Sequence, residues 1–293
     1  MANLKEVRTR IASVSSTQQI TSAMKMVSAA KFRRAQNAIF GMRPYAAMMA
    51  EIVGDIGVED GVQTPYHEVR KTEKVLLVVV TSNKGLCGAF NANVIKEATV
   101  RIKYYQAQKD VSEVMLFAMG KRASEHLSRH FSELSLESHD EVLDNPSFEE
   151  ISVLAEDIME RFRTKQIDKV ELIYNEFKNS IQQILITEQF LPIVPKSKKA
   201  DSEKKVNNDY IFEPSKEEIL YEMIPLNLRS HFYRMVLDSV AAEHGARMTA
   251  MQKATDNATE LLKELKLSYN KARQAAITNE IIEIVSGSEA LKK

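Results

Sequence analysis

The chain has 293 residues, and its 40 basic residues balance 40 acidic ones, so its formal net charge is zero. This balance argues against a protein that binds nucleic acid or an anionic membrane over its whole length. No apolar run approaches the roughly 18 residues that span a bilayer, the longest being residues 75–80. Only 9 Gly and 7 Pro interrupt the sequence, which predicts long helices.

The N-terminal segment predicts one long helix, because residues 2–40 contain neither Gly nor Pro. Apolar residues recur there at helical spacing, at Leu4, Val7, Ile11 and Val14. The strict heptad then continues on mostly polar positions, at Gln18, Thr21, Lys25 and Ser28. A displaced apolar stripe runs beside them, at Ile20, Met24 and Val27. The weakened seam argues against a tight dimeric zipper, and Gly41, Pro44 and the sequence GDIGVEDG predict a boundary near residue 57.

The C-terminal segment predicts a second long helix, because residues 246–286 contain neither Gly nor Pro. A 3, 4 repeat runs through nine seam positions with one polar member, at Met248, Met251, Thr255, Ala258, Leu262, Leu265, Tyr269, Ala272 and Ala276. Ser215 and Glu218 form a capping box that predicts a helix start near 215, with a kink or restart at Pro225. A helix of about 62 Å is too extended to wrap one compact core and needs a partner.

In the middle of the chain, short apolar runs alternate with helical stretches, which is the pattern of an α/β domain. Four apolar runs predict buried strands at residues 74–82, 113–119, 169–174 and 183–187. Helical stretches separate them, at about 91–108, 121–131 and 147–164. Residues 196–209, KSKKADSEKKVNND, are charged and almost free of apolar side chains, which predicts a mobile loop.

These elements predict a mixed α+β and α/β fold: a long antiparallel coiled coil of the terminal helices with an inserted small α/β, Rossmann-like domain. The predicted divisions are an N-terminal shaft helix over 1–57, the α/β domain over 74–195, the charged loop over 196–209 and a C-terminal shaft helix over 210–293. Periodicity alone leaves open a dimeric or four-helix assembly.

The sequence lacks the motifs of nucleotide, metal and hydrolytic sites. There is no GxxxxGK[ST], and the turn at residues 85–88 is not GxGxxG, so no phosphate-binding, cofactor or catalytic residue is predicted. His126 and His130 share a helix face at i, i+4 but lack further ligands, so no metal site is predicted. Cys87 is the single cysteine and is predicted to be a small buried residue.

The opening helix carries a one-sided charge. Residues 1–43 contain eight basic residues and only Glu6 as an acidic one, a net charge of +7. Such a helix suits an acidic surface, which could be nucleic acid, lipid or an acidic protein collar. In its scarcity of acidic residues the segment also resembles a transit peptide. The helical period continues unbroken to residue 40, however, which favours a helix of the mature protein over a leader that is removed.

Four separate blocks then resemble one known family. The run RQAAITNEIIEIVSGSEAL at 273–291 is similar to the sequence by which gamma subunits of F-type ATP synthases are recognised. The opening helix, TSNKGLCGAFN at 81–91 and ARMTAMQKATDNA at 246–258 resemble the same family in the same order. The resemblance covers the whole chain, far more than one short motif.

The resemblance implies a non-catalytic rotor subunit that couples ion flow through a membrane ring to ATP synthesis or hydrolysis in the alpha and beta subunits. It implies contacts with beta subunits at Met24, Lys25, Arg273, Gln274, Thr278 and Glu280. It implies contacts with the epsilon subunit and the membrane c-ring at Asp209, Tyr210, Ile211, Phe212 and Glu213. It implies no bound nucleic acid, and membrane association through the complex alone.

A bacterial origin is expected, with the complex on the cytoplasmic face of the inner membrane. Chloroplast relatives carry a cysteine pair that a chain with Cys87 alone lacks, and family sequence begins directly after Met1. A free-standing coiled-coil scaffold and an α/β enzyme with a helical arm are the rival classes. Copurification with alpha, beta and epsilon subunits separates the rotor from both.

Overall fold

The computed structural model of the protein describes residues 4–59, 64–179, 182–194 and 215–290. The helices in these ranges are α1 (Leu4–Glu59), α2 (Phe90–Gln106), α3 (Lys121–His130), α4 (Phe148–Arg163) and α5 (Lys216–Ala290). The strands are β1 (Lys74–Val80), β2 (Glu113–Met119), β3 (Ser135–Ser138), β4 (Lys169–Phe177) and β5 (Gln183–Leu191). The predicted loop at 196–209 lies outside the described residues.

The chain divides into two compact units. The helix-pair unit comprises Met1–Ala29 and Arg247–Lys293, and therefore contains the first part of α1 and the last part of α5. The sheet unit comprises Ala30–Ala246. Among the described helices, none is long and apolar enough to cross a membrane.

The sheet unit is built on five strands in the order β3-β2-β1-β4-β5. Strand β1 lies between β2 and β4 and is parallel to both, β2 and β3 are parallel, and β5 is antiparallel to β4. Residues 75–80 of β1 are all buried, because helices cover both faces of the central strands. The continuous apolar run of β1 is the sequence pattern that such two-sided burial requires.

Alternate side chains of β1 enter two separate cores. Leu76, Val78 and Val80 pack with α4 and with the parts of α1 and α5 that belong to the sheet unit. Val75, Leu77 and Val79 pack with α2 and α3 on the opposite face. The predicted fold class, terminal helices with an inserted α/β domain, is confirmed.

The predicted strands are all present, and β4 and β5 extend beyond their predicted ends to Phe177 and Leu191. The three predicted helices of the domain are also confirmed, within two residues at each end. Strand β3 was missed by the sequence pattern. Its sequence, SLES, contains one apolar residue, and it lies at the edge of the sheet, where only Leu136 packs against a core.

Two prolines lie inside helices without ending them. Helix α1 continues through Pro44 and ends at Glu59, close to the predicted boundary near residue 57. Helix α5 begins at Lys216, next to the predicted start near 215, and continues through Pro225 without a restart. A proline inside a helix removes one backbone hydrogen bond and crowds the preceding turn. Burial on both sides offsets this cost: Leu220, Ile224 and Leu228 are buried around Pro225.

One ion pair ties the edge strand β3 to α4. The Arg161 guanidinium donates to the Glu137 carboxylate, with Nη2 and Oε2 2.9 Å apart, and this hydrogen bond holds the pKa of Glu137 below its ordinary value of 4.5. A carboxyl whose pKa is lowered by folding stabilises the fold above its unfolded pKa, and that contribution is lost as the pH falls through its folded pKa.

We therefore expect Glu137→Gln to lower the urea midpoint at neutral pH, and the deficit to shrink as the pH falls below 4.5, the ordinary value. The matched control is Glu160→Gln, because Glu160 pairs with Arg163 on the same helix but is more exposed, at 52% of its side chain against 38% for Glu137, and solvent screens it more strongly. Urea titrations followed by circular dichroism at several pH values measure the difference. A deficit independent of pH would contradict this account.

Candidate functional site: the helix pair and its C-terminal tip

The helix-pair unit contains the antiparallel seam that the C-terminal repeat predicts. Gln18 Nε2 donates to Thr259 Oγ1 at 2.7 Å, and the hydroxyls of Thr21 and Thr255 lie 2.8 Å apart, so α1 and α5 run in opposite directions. On α5 the predicted seam positions Met251, Ala258 and Leu262 are buried. The coiled-coil part of the fold prediction is confirmed by these contacts.

In the middle of α1 the buried side is the strict heptad and not the displaced apolar stripe. Thr21 and Ser28 are 9% and 3% exposed, whereas Ile20 and Val27 are 57% and 59% exposed. Periodicity left open which stripe faces α5. The helix pair buries small polar side chains and turns two large aliphatic ones outward, which is the reverse of the usual preference.

The seam ends at Ala272. This side chain is half-buried, and every residue from 273 to 288 is exposed. The antiparallel register places Leu4, the first described residue of α1, level with this point, so nothing in the described part of the chain faces α5 beyond it. Ala276, the ninth predicted seam position, is therefore exposed, and that element of the prediction is wrong.

Residues 273–288, here called the tip, form a helix with a strongly apolar surface. Five large aliphatic side chains are exposed on it: Ile277, Ile281, Ile282, Ile284 and Val285. Single exposed aliphatics are ordinary, but a contiguous apolar surface marks an interaction site. The spacing of Ile277, Ile281 and Ile284 repeats the 4, 3 pattern of the seam, and that signal could have identified them from the sequence.

The predicted partner contacts fall in two places on the helix pair. Arg273, Gln274, Thr278 and Glu280 lie together on the tip and are exposed. Met24 and Lys25 lie on α1 and are half-buried, beside the exposed side chains of Met26 and Val27. The predicted base contacts Asp209, Tyr210, Ile211, Phe212 and Glu213 lie outside the described residues.

In the sheet unit, the N-terminus of α3 has the placement of a phosphate-binding helix but its amides are already bonded. Lys121 N–H donates to Asn83 Oδ1 at 3.1 Å, Arg122 N–H to the Ser82 carbonyl at 3.2 Å, and Ala123 N–H to Thr81 Oγ1 at 2.9 Å. A helix N-terminus binds phosphate through free amide donors. These three are satisfied by the chain itself, so this turn is a structural one.

The turn at residues 85–88 is likewise held from within. Cys87 is buried, as predicted, and Sγ accepts from Asn91 Nδ2 at 3.2 Å. Asn91 Oδ1 also accepts from the Ser82 backbone N–H at 2.9 Å. The side chains after β1 therefore fasten the strand to α2 and leave no open cradle.

The histidine pair on α3 has stacked rings. The ring centroids of His126 and His130 are 4.1 Å apart, and His130 Nδ1 lies 2.9 Å from the His126 carbonyl oxygen. Burial, followed by the charges of His130 and Arg129, lowers the pKa of His126. Within the described ranges, no group of three or more His, Cys, Asp or Glu side chains is placed to hold a metal.

A long antiparallel helix pair with an exposed apolar tip, joined to an α/β domain, defines the architectural class of this protein. The family model described as ATP synthase matches residues 3–291. The ATP synthase gamma chain of Flavobacterium johnsoniae is 53% identical over 293 residues, and that of Cytophaga hutchinsonii is 52% identical over 298, each covering 99% of both chains. The chain belongs to the ATP synthase family, among its gamma chains.

Solved structures share this fold. The central stalk of the Tetrahymena thermophila mitochondrial ATP synthase matches with a TM-score of 0.57 and 25% identity, over 80% of this chain and 99% of that one. A chain of the Euglena gracilis mitochondrial ATP synthase matches with a TM-score of 0.66 over 98% of this chain and 94% of that one. At 20% identity the second likeness concerns the fold alone.

Proposed function

We propose that this chain is the rotating central-stalk subunit of a bacterial ATP synthase. In this role residues 1–57 and 210–293 form the shaft, and residues 74–195 form the α/β domain. The shaft couples ion flow through a membrane c-ring to ATP synthesis or hydrolysis at sites in the alpha and beta subunits. The chain itself supplies no catalytic group.

The observation that carries this proposal is the tip. A helix extending past its partner with five exposed aliphatic side chains gains stability when a second surface covers them. An apolar collar of alpha and beta subunits around the tip provides that surface. The similarity to the ATP synthase gamma chain of Flavobacterium johnsoniae, 53% identical over 99% of this chain, supports this choice of partner.

Polar contacts are proposed at each end of the helix pair. Arg273, Gln274, Thr278 and Glu280 stand beside the apolar side chains of the tip, where they suit polar loops of the beta subunits. Lys25 lies on the basic opening helix and suits an acidic beta-subunit segment, with Met24 beside it. The segment 209–213 is proposed to meet the c-ring and the epsilon subunit.

The mechanism follows from the asymmetry of two helices within a threefold ring. A single helix pair cannot present the same surface to three equivalent beta subunits at once, so each subunit meets different contacts. A ligand or partner shifts a conformational equilibrium only by its differential affinity for the states. Turning the pair therefore changes nucleotide affinity at each beta subunit in sequence.

The proposed location is the cytoplasmic face of the bacterial inner membrane. The relatives named above are bacterial gamma chains, and none of the described helices could cross a bilayer. Attachment through the c-ring and epsilon subunit keeps the chain peripheral.

The experiment compares two charge substitutions at exposed aliphatic residues. Ile281→Asp, on the tip, is expected to weaken assembly with alpha and beta subunits by about a hundredfold, because docking would bury an unpaired charge. Val153→Asp, on α4, is the matched control, since Val153 lies outside the tip and is 63% exposed, against 55% for Ile281. Reconstitution titrations with cooperative ATP hydrolysis as the readout measure both variants.

Equal behaviour of the two variants would show that the tip has no apolar partner. ATP hydrolysis by the purified chain alone would contradict the non-catalytic role. Circular dichroism of both variants should match the parent, because neither side chain packs in a core of the described residues.

A further inference from the structure

The middle of the helix pair holds a group of four hydrogen-bonded residues, here called the polar ring: Gln18, Thr21, Thr255 and Thr259. Gln18 Nε2 donates to Thr259 Oγ1 at 2.7 Å, and Thr259 Oγ1 donates to the Thr255 carbonyl at 2.8 Å. Thr255 Oγ1 donates to Thr21 Oγ1 at 2.8 Å, and Thr21 Oγ1 donates to the Gln18 carbonyl at 3.0 Å. Each of these groups therefore donates once within the ring.

The contact between the two threonine hydroxyls does not depend on one arrangement of protons. Thr255 Oγ1 also lies 2.8 Å from the Met251 carbonyl oxygen. If Thr255 donates there, Thr21 can donate to Thr255 in return, because a hydroxyl both donates and accepts. Two of the ring's hydrogen bonds cross between α1 and α5 in either arrangement.

The sequence of α1 offers a competing packing. A seam displaced by one residue after Val14 would place Ile20, Met24 and Val27 where the strict heptad has Thr21, Lys25 and Ser28. Burial of these side chains would remove more apolar surface from water than burial of Thr21 and Ser28. The observed packing nevertheless leaves Ile20 and Val27 mostly exposed, so another interaction must favour the strict heptad.

We infer that the polar ring is the register lock of the helix pair. Thr255 is the single polar residue in the predicted α5 seam, and Thr21 is the residue opposite it, so the polar positions of both helices meet at one level. The crossing hydrogen bonds are half-buried, and polar pairs at seam positions can select one register of a coiled coil at some cost in stability. Gln18, Thr21, Thr255 and Thr259 are accordingly positioning residues.

The lock decides which surface of α1 faces outward. With the ring formed, Ile20, Met26 and Val27 are exposed on the shaft. The consequence for the synthase rests on the proposed function: the outward stripe is then the side of α1 that meets the surrounding subunits. The lock itself is a property of the helix pair and can be tested without them.

The test compares two disulfide pairs in the full chain with Cys87→Ala. Continuing the antiparallel register places Ser28 opposite Met248, so the pair Ser28→Cys with Met248→Cys reports the strict heptad. Val27→Cys with Met248→Cys reports the displaced stripe. In the chain whose polar ring is unchanged, the first cysteine pair should form its disulfide faster than the second, because a disulfide requires Cβ atoms that are close and face each other.

Replacing both threonines by the isosteric valine, Thr21→Val with Thr255→Val, removes the crossing hydroxyl pair. The ratio of the two disulfide rates should then fall by about tenfold. Thr21→Ser with Thr255→Ser keeps the hydroxyls and should keep the parental ratio. Gln18→Leu breaks the ring at another member and should shift the ratio in the same direction as the valines.

An unchanged ratio in both the valine and the leucine variants would overturn the register lock, as would a serine variant that behaves like the valine one. These rates are measured on the chain alone. A failure of the lock is therefore distinguishable from a failure of the proposed function, which the Ile281→Asp titration tests.

Discussion

A disulfide between a cysteine at Lys271 and a facing cysteine in a beta subunit is expected to stop multisite ATP turnover until reductant is added. Lys271 is exposed on α5 at the end of the seam, just before the tip. If the chain rotates within a collar, this bond joins a moving part to a fixed one. Each full turn would have to break it, so the loss should follow the crosslinked fraction and reverse on reduction.

The chain suits this experiment because Cys87 is its only cysteine. Cys87 is buried, and Cys87→Ala should be tolerated, since Asn91 Nδ2 keeps a second acceptor in Ser82 Oγ at 2.8 Å. The variant gives a background in which the introduced cysteine reacts alone. Turnover of this background should equal that of the parent.

The matched control is a disulfide that lies wholly within the shaft. Cysteines at Ser28 and Met248, which lie opposite each other in the antiparallel register and outside the polar ring, form a bond that joins α1 to α5 without touching the collar. Turnover should survive it, because both ends move together. Full activity with the beta-subunit crosslink verified would contradict rotation, unless the end of α5 had unwound locally and swivelled.

Gly120→Ala is expected to destabilise the sheet unit strongly. Gly120 links β2 to α3 with φ of +106°, and a Cβ built on it would lie 2.4 Å from the Thr81 carbonyl oxygen. That atom is backbone at the end of β1, and the Thr81 N–H is held by the Met119 carbonyl at 2.8 Å. Neither partner can move without breaking the central strand pair.

We expect a cost above about 3 kcal/mol for Gly120→Ala, from backbone strain together with this clash. Gly88→Ala is the matched control, because Gly88 also has a positive φ, of +63°, but nothing within 4 Å of the added Cβ. Strain alone should cost it about 1 kcal/mol. Urea denaturation followed by circular dichroism measures both, and equal losses would show that the close approach to Thr81 does not matter.

Much of the fold follows from the sequence because its periodicities report burial directly. Residues 75–80 are apolar without alternation, and the structure buries all of them between two helical layers. The 3, 4 repeat of α5 predicted the positions that face α1, as Met251, Ala258 and Leu262 show. The predicted partner contacts came instead from family resemblance, since exposed polar positions such as Thr278 and Glu280 carry no periodic signal.

Other features were decided only by tertiary contacts. Strand β3 exists because β2 offers it a parallel edge, and α5 passes Pro225 because Leu220, Ile224 and Leu228 are buried on both sides of it. The seam stops at Ala272 because α1 gives no further facing surface among the described residues, although the apolar repeat continues along α5.

The sequence by itself determined that two long helices stand before and after an α/β domain in the chain, since segment length and hydrophobic period are local properties. It did not determine which stripe of α1 faces α5. Apolar burial favours Ile20 and Val27, whereas the structure buries Thr21 and Ser28. That choice depends on hydrogen bonds between residues more than 230 positions apart, and only the folded chain brings those groups together.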